Sequence, residues 1–204
     1  MTVNKNLPNY LCIIRIVLIP FVLLFLLDNP VVNGIPVYIR MLVSGAIFGV
    51  AMLTDLADGK IARKFDLVSD FGKFLDPIAD KLLVVSVLIG FVSVGLASSV
   101  AVVLIVAREF LISGLRMQAA AKGEVIAANM WGKVKTATQG VVMAGSYIYL
   151  IVTLWLHNPA VTLMSEVSDA SFLPVRIAVW VLAAVTVISA VPYFVHGAKY
   201  IKMK

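Results

Sequence analysis

Residues 82–107 read LLVVSVLIGFVSVGLASSVAVVLIVA, a run of 26 without a charged side chain. A single helix needs only roughly 20 apolar residues to cross a bilayer. Taken from Asp80 to Arg116 as one helix, the stretch would be about 52 Å long against a hydrocarbon core of ~30 Å. Two helices fit better. Small, turn-prone residues at Gly95, Ser98 and Ser99 mark the expected break on the far side of the membrane, so the third and fourth spans are expected to form a hairpin.

The rest of the chain has the same character. Of 204 residues, 61% are hydrophobic and 14% charged, against roughly 25% charged in soluble domains. A net charge of +6 would by itself suggest nucleic acid or an anionic membrane surface. The hydrophobicity decides for the membrane and against nucleic acid. A first apolar run covers 11–27, with Arg15 inside it and Asp28, Asn29 and Pro30 after it. It lacks a small-residue cleavage pattern and so reads as a retained helix, not a signal peptide. A second run, 41–54, continues in helical pattern into Asp55 and Asp58. A fifth follows Trp131 to about His157 and is stopped by Asn158 and Pro159; a sixth runs from about Pro174 to Val195, after a polar loop carrying Glu166 and Asp169. The expected fold is all-α: a polytopic membrane protein with a six-transmembrane-helix bundle in one domain, 1–204. The single Cys12 excludes an intrachain disulfide and a cysteine-based metal site.

Positive charge orients the bundle, because cytoplasmic loops are enriched in Lys and Arg. On this reading 15 of the 17 basic residues fall on one side: Lys5, Arg15, Lys60, Arg63, Lys64, Lys73, Lys81, Arg108, Arg116, Lys122, Lys133, Lys135, Lys199, Lys202 and Lys204. Only Arg40 and Arg176 lie at the opposite ends. Both termini are therefore expected to be cytoplasmic.

Acidic residues are costly inside membrane helices and mark function by default. Asp55 and Asp58 are three apart, with Gly59 and Ala62 at offsets of four and seven from Asp55, so all four share one helical face. Asp76 and Asp80 are four apart, with Gly72 four residues before Asp76. Two acidic, otherwise bare faces result. Four clustered carboxylates repel unless positive charge intervenes, and an all-oxygen donor set suits magnesium or manganese rather than zinc. Two ions could neutralise a diphosphate while Asp80 accepts a proton. The bland alternative is a structural network with Lys60, Arg63, Lys73 and Lys81. For Gly59, Ala62 and Gly72 it is close helix packing.

From Asp55 to Asp80 the chain reads DLADGKIARKFDLVSDFGKFLDPIAD. This resembles the CDP-alcohol phosphotransferase signature, with each of its eight fixed residues filled: Asp55, Asp58, Gly59, Ala62, Arg63, Gly72, Asp76 and Asp80. The resemblance implies a six-helix bundle, usually homodimeric, that transfers a phosphatidyl or phosphoalcohol group from a CDP-linked donor and releases CMP. It makes Asp55, Asp58, Asp76 and Asp80 ligands of Mg2+ or Mn2+, with Asp80 also the general base. Asp58, Gly59, Ala62, Arg63 and Gly72 form the CDP-binding site.

The remaining cations point to the acceptor. Arg108 and Arg116 are eight apart on the fourth helix, and Lys133 and Lys135 open the fifth. They are expected to converge on a dianionic phosphate, although lipid headgroups and inside-positive topology are the plainer uses of such charge. Residues 108–139, REFLISGLRMQAAAKGEVIAANMWGKVKTATQ, and 6–20, NLPNYLCIIRIVLIP, resemble bacterial family members that use sn-glycerol 3-phosphate. Cys12 departs from that pattern, where Thr is expected. The resemblance implies transfer of phosphatidyl from CDP-diacylglycerol to sn-glycerol 3-phosphate, giving phosphatidylglycerophosphate and CMP for phosphatidylglycerol synthesis. It places the enzyme in the bacterial cytoplasmic membrane, with the active site facing the cytoplasm and membrane phospholipid around it. Asp80 would deprotonate the acceptor hydroxyl for direct attack on phosphorus, since no Ser or His paired with a base stands at the motif to form a covalent intermediate. Rival expectations are another acceptor, serine or inositol phosphate, then a divalent-cation transporter, and then a noncatalytic membrane assembly protein.

Overall fold

Apolar faces on most sides, not a single buried stripe, distinguish these helices from those of a soluble bundle. Large hydrophobics such as Val17, Phe21, Leu53, Ile89, Val103, Leu111, Val141, Ile148, Trp155 and Ile177 lie exposed on the helix surfaces. Lipid is the solvent that favours such a surface. The computed structural model describes residues 7–65, 70–121, 123 and 130–197, without the side chains of 7–8, 55–65, 70–74, 76–77, 121 and 196–197. Within them every regular element is helical: α1 (Leu7–Leu26), α2 (Val37–Phe65), α3 (Asp70–Ser93), α4 (Ser99–Ala121), α5 (Met130–His157), α6 (Asp169–Ile188) and the short α7 (Val191–Gly197), with one 3-10 turn at Met164–Glu166.

The six long helices match the expected number. Four stretches of the described residues are long and apolar enough to cross a membrane: Asn9–Leu26, Val37–Thr54, Met130–His157 and Asp169–Val195. The two long helices outside that set, α3 and α4, carry Asp76, Asp80 and Lys81 and then Arg108, Glu109 and Arg116. At 29 residues, α2 is about 44 Å long. Its 18-residue apolar window ends at Thr54, so the turns that carry the signature extend past the part able to span hydrocarbon.

The expected break near Gly95 is present: α3 stops at Ser93 and α4 starts at Ser99. Gly95 has φ +76, a left-handed conformation that glycine adopts without steric cost. The last span differs from its expected limits. It starts at Asp169, with Pro174 inside α6, because an acid in the first turn favours a helix start more than one missing N–H opposes it. It also breaks before α7, where the Ser189 N–H still donates to Val185 O while the Ala190 N–H turns to Val187 O.

By backbone packing the chain divides into two units, Met1–Val94 with Tyr147–Ser171, and Gly95–Ser146 with Phe172–Lys204. In the first, α1 packs against α2 and α3. Val22, Leu26, Met41, Phe48, Leu83, Leu88 and Phe91 are all buried there. Gly90 sets how closely α3 approaches α1: a Cβ there would lie 2.5 Å from Leu26 Cδ2. One hydroxyl relay ties α5 in. Ser44 Oγ donates to Val22 O at 2.9 Å, which leaves it to accept from the Tyr147 hydroxyl at 3.0 Å. The Tyr147 ring meets Phe48 and Phe91 with centroids 5.7 and 5.6 Å apart, and its Cδ1 would sit 3.0 Å from a Cβ on Gly45.

The same unit explains one exception to the charge rule. Arg40 is fully buried, and every guanidinium nitrogen has an acceptor: Nε donates to Phe25 O, Nη1 to Thr162 O, and Nη2 to Leu27 O. Nη2 also pairs with Asp28 at 2.9 Å. Asp28 accepts in turn from the Met164 N–H at 3.0 Å. Arg40 is thus spent on holding the turn after α1 to the loop after α5. In the second unit Arg176, the other exception, donates from Nε to Gly95 O at 2.7 Å.

Candidate functional site

The predicted site residues fall on two sets of elements. Asp55, Asp58, Gly59, Ala62 and Arg63 occupy the end of α2, and Gly72, Asp76 and Asp80 the beginning of α3. The helical spacing that puts each acid pair on one face is therefore present in the backbone. The side chains of Asp55, Asp58, Ala62, Arg63 and Asp76, and the surroundings of Gly59 and Gly72, lie outside the described residues. Asp80 is described, and it is exposed. Its neighbour Ala79, on the other side of α3, is fully buried.

In the second unit the cations are gathered by partners that spacing alone does not reveal. Arg108, only 8% exposed, donates from Nη1 to Glu109 Oε1 at 3.1 Å and from Nη2 to Ser189 Oγ at 3.0 Å. The Ser189 hydroxyl spends its proton on Thr186 O at 2.7 Å, so the lone pair it presents to Arg108 is fixed. The same Glu109 Oε1 accepts from Lys135 Nζ at 2.6 Å. One carboxylate oxygen on α4 therefore joins α4 to α5. Arg116 donates from Nη2 to the Tyr193 hydroxyl at 3.1 Å. The Tyr193 ring, from α7, lies 5.8 Å from the Arg108 guanidinium and 5.2 Å from that of Arg116, within cation–π range of both.

Arg108, Arg116 and Lys135 are thus brought together. Lys133 is not placed with them: it stands two residues, about 200° of helix, from Lys135, and is exposed where Lys135 is buried. Among the described residues of this group the cations outnumber the one carboxylate, Glu109, an excess of positive charge that suits a phosphate monoester. One donor is unused. Arg108 Nε is buried without a hydrogen-bond partner, as are Gln139 Oε1, one turn beyond Lys135, and Thr186 Oγ1, one turn before Ser189. A buried donor left unpaired costs about 1–3 kcal/mol, and a ligand oxygen would recover it.

Glu109, Ser189 and Tyr193 were not among the residues predicted from sequence. Glu109 alone carried a signal: it is the one acid between Lys81 and Gly123, inside a helix otherwise rich in apolar residues, where acids are costly. Ser189 and Tyr193 are 81 and 77 positions from the arginines they meet, and only tertiary packing identifies them.

Comparison with known proteins agrees with the signature. The CDP-alcohol phosphatidyltransferase family model matches residues 5–191. A protein of Bacillus subtilis (strain 168) named CDP-diacylglycerol–glycerol-3-phosphate 3-phosphatidyltransferase is 40% identical over 194 residues, covering 93% of each chain. Proteins of the same name from Rickettsia felis (strain ATCC VR-1525 / URRWXCal2) and Rickettsia bellii (strain RML369-C) are 35% and 36% identical, each over 98% of this chain and 99% of the relative. With a family match over nearly its whole length, and the eight signature residues standing where α2 ends and α3 begins, this chain belongs to the CDP-alcohol phosphatidyltransferase family.

Proposed function

We propose that the protein transfers the phosphatidyl group of CDP-diacylglycerol to sn-glycerol 3-phosphate, giving phosphatidylglycerophosphate and CMP. The observation that carries the choice of acceptor is the group at Arg108, where the described cations outnumber the one described carboxylate and a buried donor is in want of an oxygen. Relatives that carry this activity in their names cover almost the full chain, which supports the same reading. A neutral acceptor such as serine would leave both the charge and the donor without a partner.

The carboxylates of Asp55, Asp58, Asp76 and Asp80 suit a hard divalent cation, Mg2+ or Mn2+, since the set is all oxygen and the two pairs stand one helical turn apart on α2 and α3. These four residues would hold it, in two ions on our reading, and bound there it supplies charge neutralisation for a diphosphate. Asp58, Gly59, Ala62, Arg63 and Gly72 make the nucleotide site. Asp80, exposed to solvent, takes the proton from the free 1-hydroxyl of the acceptor. The alkoxide then forms a bond to the lipid-side phosphorus as the bond from that phosphorus to CMP breaks. Arg108, Arg116 and Lys135 hold the acceptor's phosphate. The protein acts as a homodimer in the bacterial cytoplasmic membrane, with its termini and active site on the cytoplasmic side.

Purified protein given CDP-diacylglycerol and Mg2+ should release CMP only when sn-glycerol 3-phosphate is added. Release with serine or inositol phosphate alone would overturn the assignment. In the same assay Asp80→Asn should lower kcat by about 10²–10⁴, and full turnover in a folded variant would remove Asp80 as base.

A further inference from the structure

Glu109 poses an electrostatic problem for the proposed acceptor site. A carboxylate beside a phosphate-binding group repels the ligand, yet its Oε1 is bonded to two of the three cations there, Arg108 at 3.1 Å and Lys135 at 2.6 Å. It is also largely enclosed, at 14% exposure, so it does not simply point to solvent. Ser189 grips Arg108 from the other side, with its own proton committed to Thr186 O.

Two positive groups sharing one oxygen stay close only while that oxygen is negative; without it their mutual repulsion acts in a poorly screened setting. With Nη1 and Nη2 both held, the Arg108 guanidinium has one rotational placement, and its remaining buried donor, Nε, has no protein acceptor. The geometry points to Glu109 and Ser189 as positioning residues: they fix Arg108 and Lys135 as a preformed cation pair in which the unpaired Arg108 Nε–H receives the phosphomonoester oxygen of the acceptor alcohol. Neither residue touches the reacting atoms. Glu109 gives up some attraction for the phosphate and in return holds its receptors in place before binding, a case of affinity gained by preorganisation.

This inference rests on the acceptor reading above, and the experiment separates the two. Wild-type protein without CMP release dependent on sn-glycerol 3-phosphate would fail the functional reading itself. In active protein, Glu109→Gln keeps size and hydrogen-bonding capacity while removing the charge. It should raise KM for sn-glycerol 3-phosphate about tenfold, with KM for CDP-diacylglycerol and kcat changed less than about threefold, a tenfold change corresponding to about 1.4 kcal/mol. An unchanged or lowered KM for the acceptor would make Glu109 a bystander or a competitor and overturn the proposal. Equal changes for both substrates would mark a general structural defect and overturn it as well. If Glu109→Gln does not accumulate as folded protein, Ser189→Ala must show the same one-sided rise, and equal KM values for wild type and Ser189→Ala would sink the proposal.

Discussion

Arg40 and Arg108 are both buried arginines on helices of a membrane protein, and they differ in one respect. Arg40 has an acceptor on each of its three nitrogens, four in all with Asp28. Arg108 has acceptors on two nitrogens and none on Nε. Burying a guanidinium is expensive, and the cost falls as its donors are satisfied. A fully satisfied arginine has no donor left to offer, whereas one with an orphan donor can still take an acceptor. The first holds two loops together; in the function proposed above, the second receives the acceptor's phosphate.

Substitution should separate the two roles by which quantity moves. The largest effect is expected at Arg40: Arg40→Ala strands Asp28 and three backbone carbonyls, and should cost about 3–5 kcal/mol of stability. Thermal unfolding in detergent would register it, while kcat/KM per folded molecule stays within about threefold of wild type. Arg108→Ala should do the reverse. Loss of a charged hydrogen-bonding group from the acceptor site, about 1.5–3 kcal/mol, corresponds to a roughly 10–100-fold fall in kcat/KM for sn-glycerol 3-phosphate. KM for CDP-diacylglycerol should barely change. If the two variants lose activity and stability in parallel, the distinction drawn from donor satisfaction fails.

Smaller changes sharpen it. Tyr147→Phe removes the hydroxyl that Ser44 accepts from but leaves the ring against Phe48 and Phe91, so it should cost about 1 kcal/mol in unfolding measurements and nothing in acceptor KM. Lys133→Ala, at an exposed position turned away from Lys135, should change acceptor KM by less than about threefold, as expected for a solvated surface charge. A large rise there would return Lys133 to the phosphate site beside its neighbour.

The sequence carried the helices well because lipid imposes a coarse rule: uncharged runs of sufficient length are helical, and Asn, Pro and Gly punctuate them. The break at Gly95 and the stop at His157 were legible for that reason. The start of α6 was not, since Pro174 reads as a helix beginning while Asp169, a better first-turn residue, reads as loop. The acidic signature was legible as two faces on two helices because its spacing is local. The cation site was legible only in part: Arg108, Arg116 and Lys135 could be nominated by charge, but two residues of separation on a helix sends Lys133 to the other side. Glu109, Ser189 and Tyr193 acquire meaning only through contacts across the fold. Arg40 and Arg176, which broke the charge rule, became intelligible once their acceptors, Asp28 with three carbonyls and Gly95 O, were seen.

The most direct test is an experimental structure of the protein with sn-glycerol 3-phosphate bound. A phosphate oxygen within hydrogen-bond distance of Arg108 Nε, with Glu109 still bridging Arg108 and Lys135 and Arg40 unmoved, is the predicted result. A phosphate bound elsewhere, with Arg108 Nε satisfied by another protein group, would contradict the account.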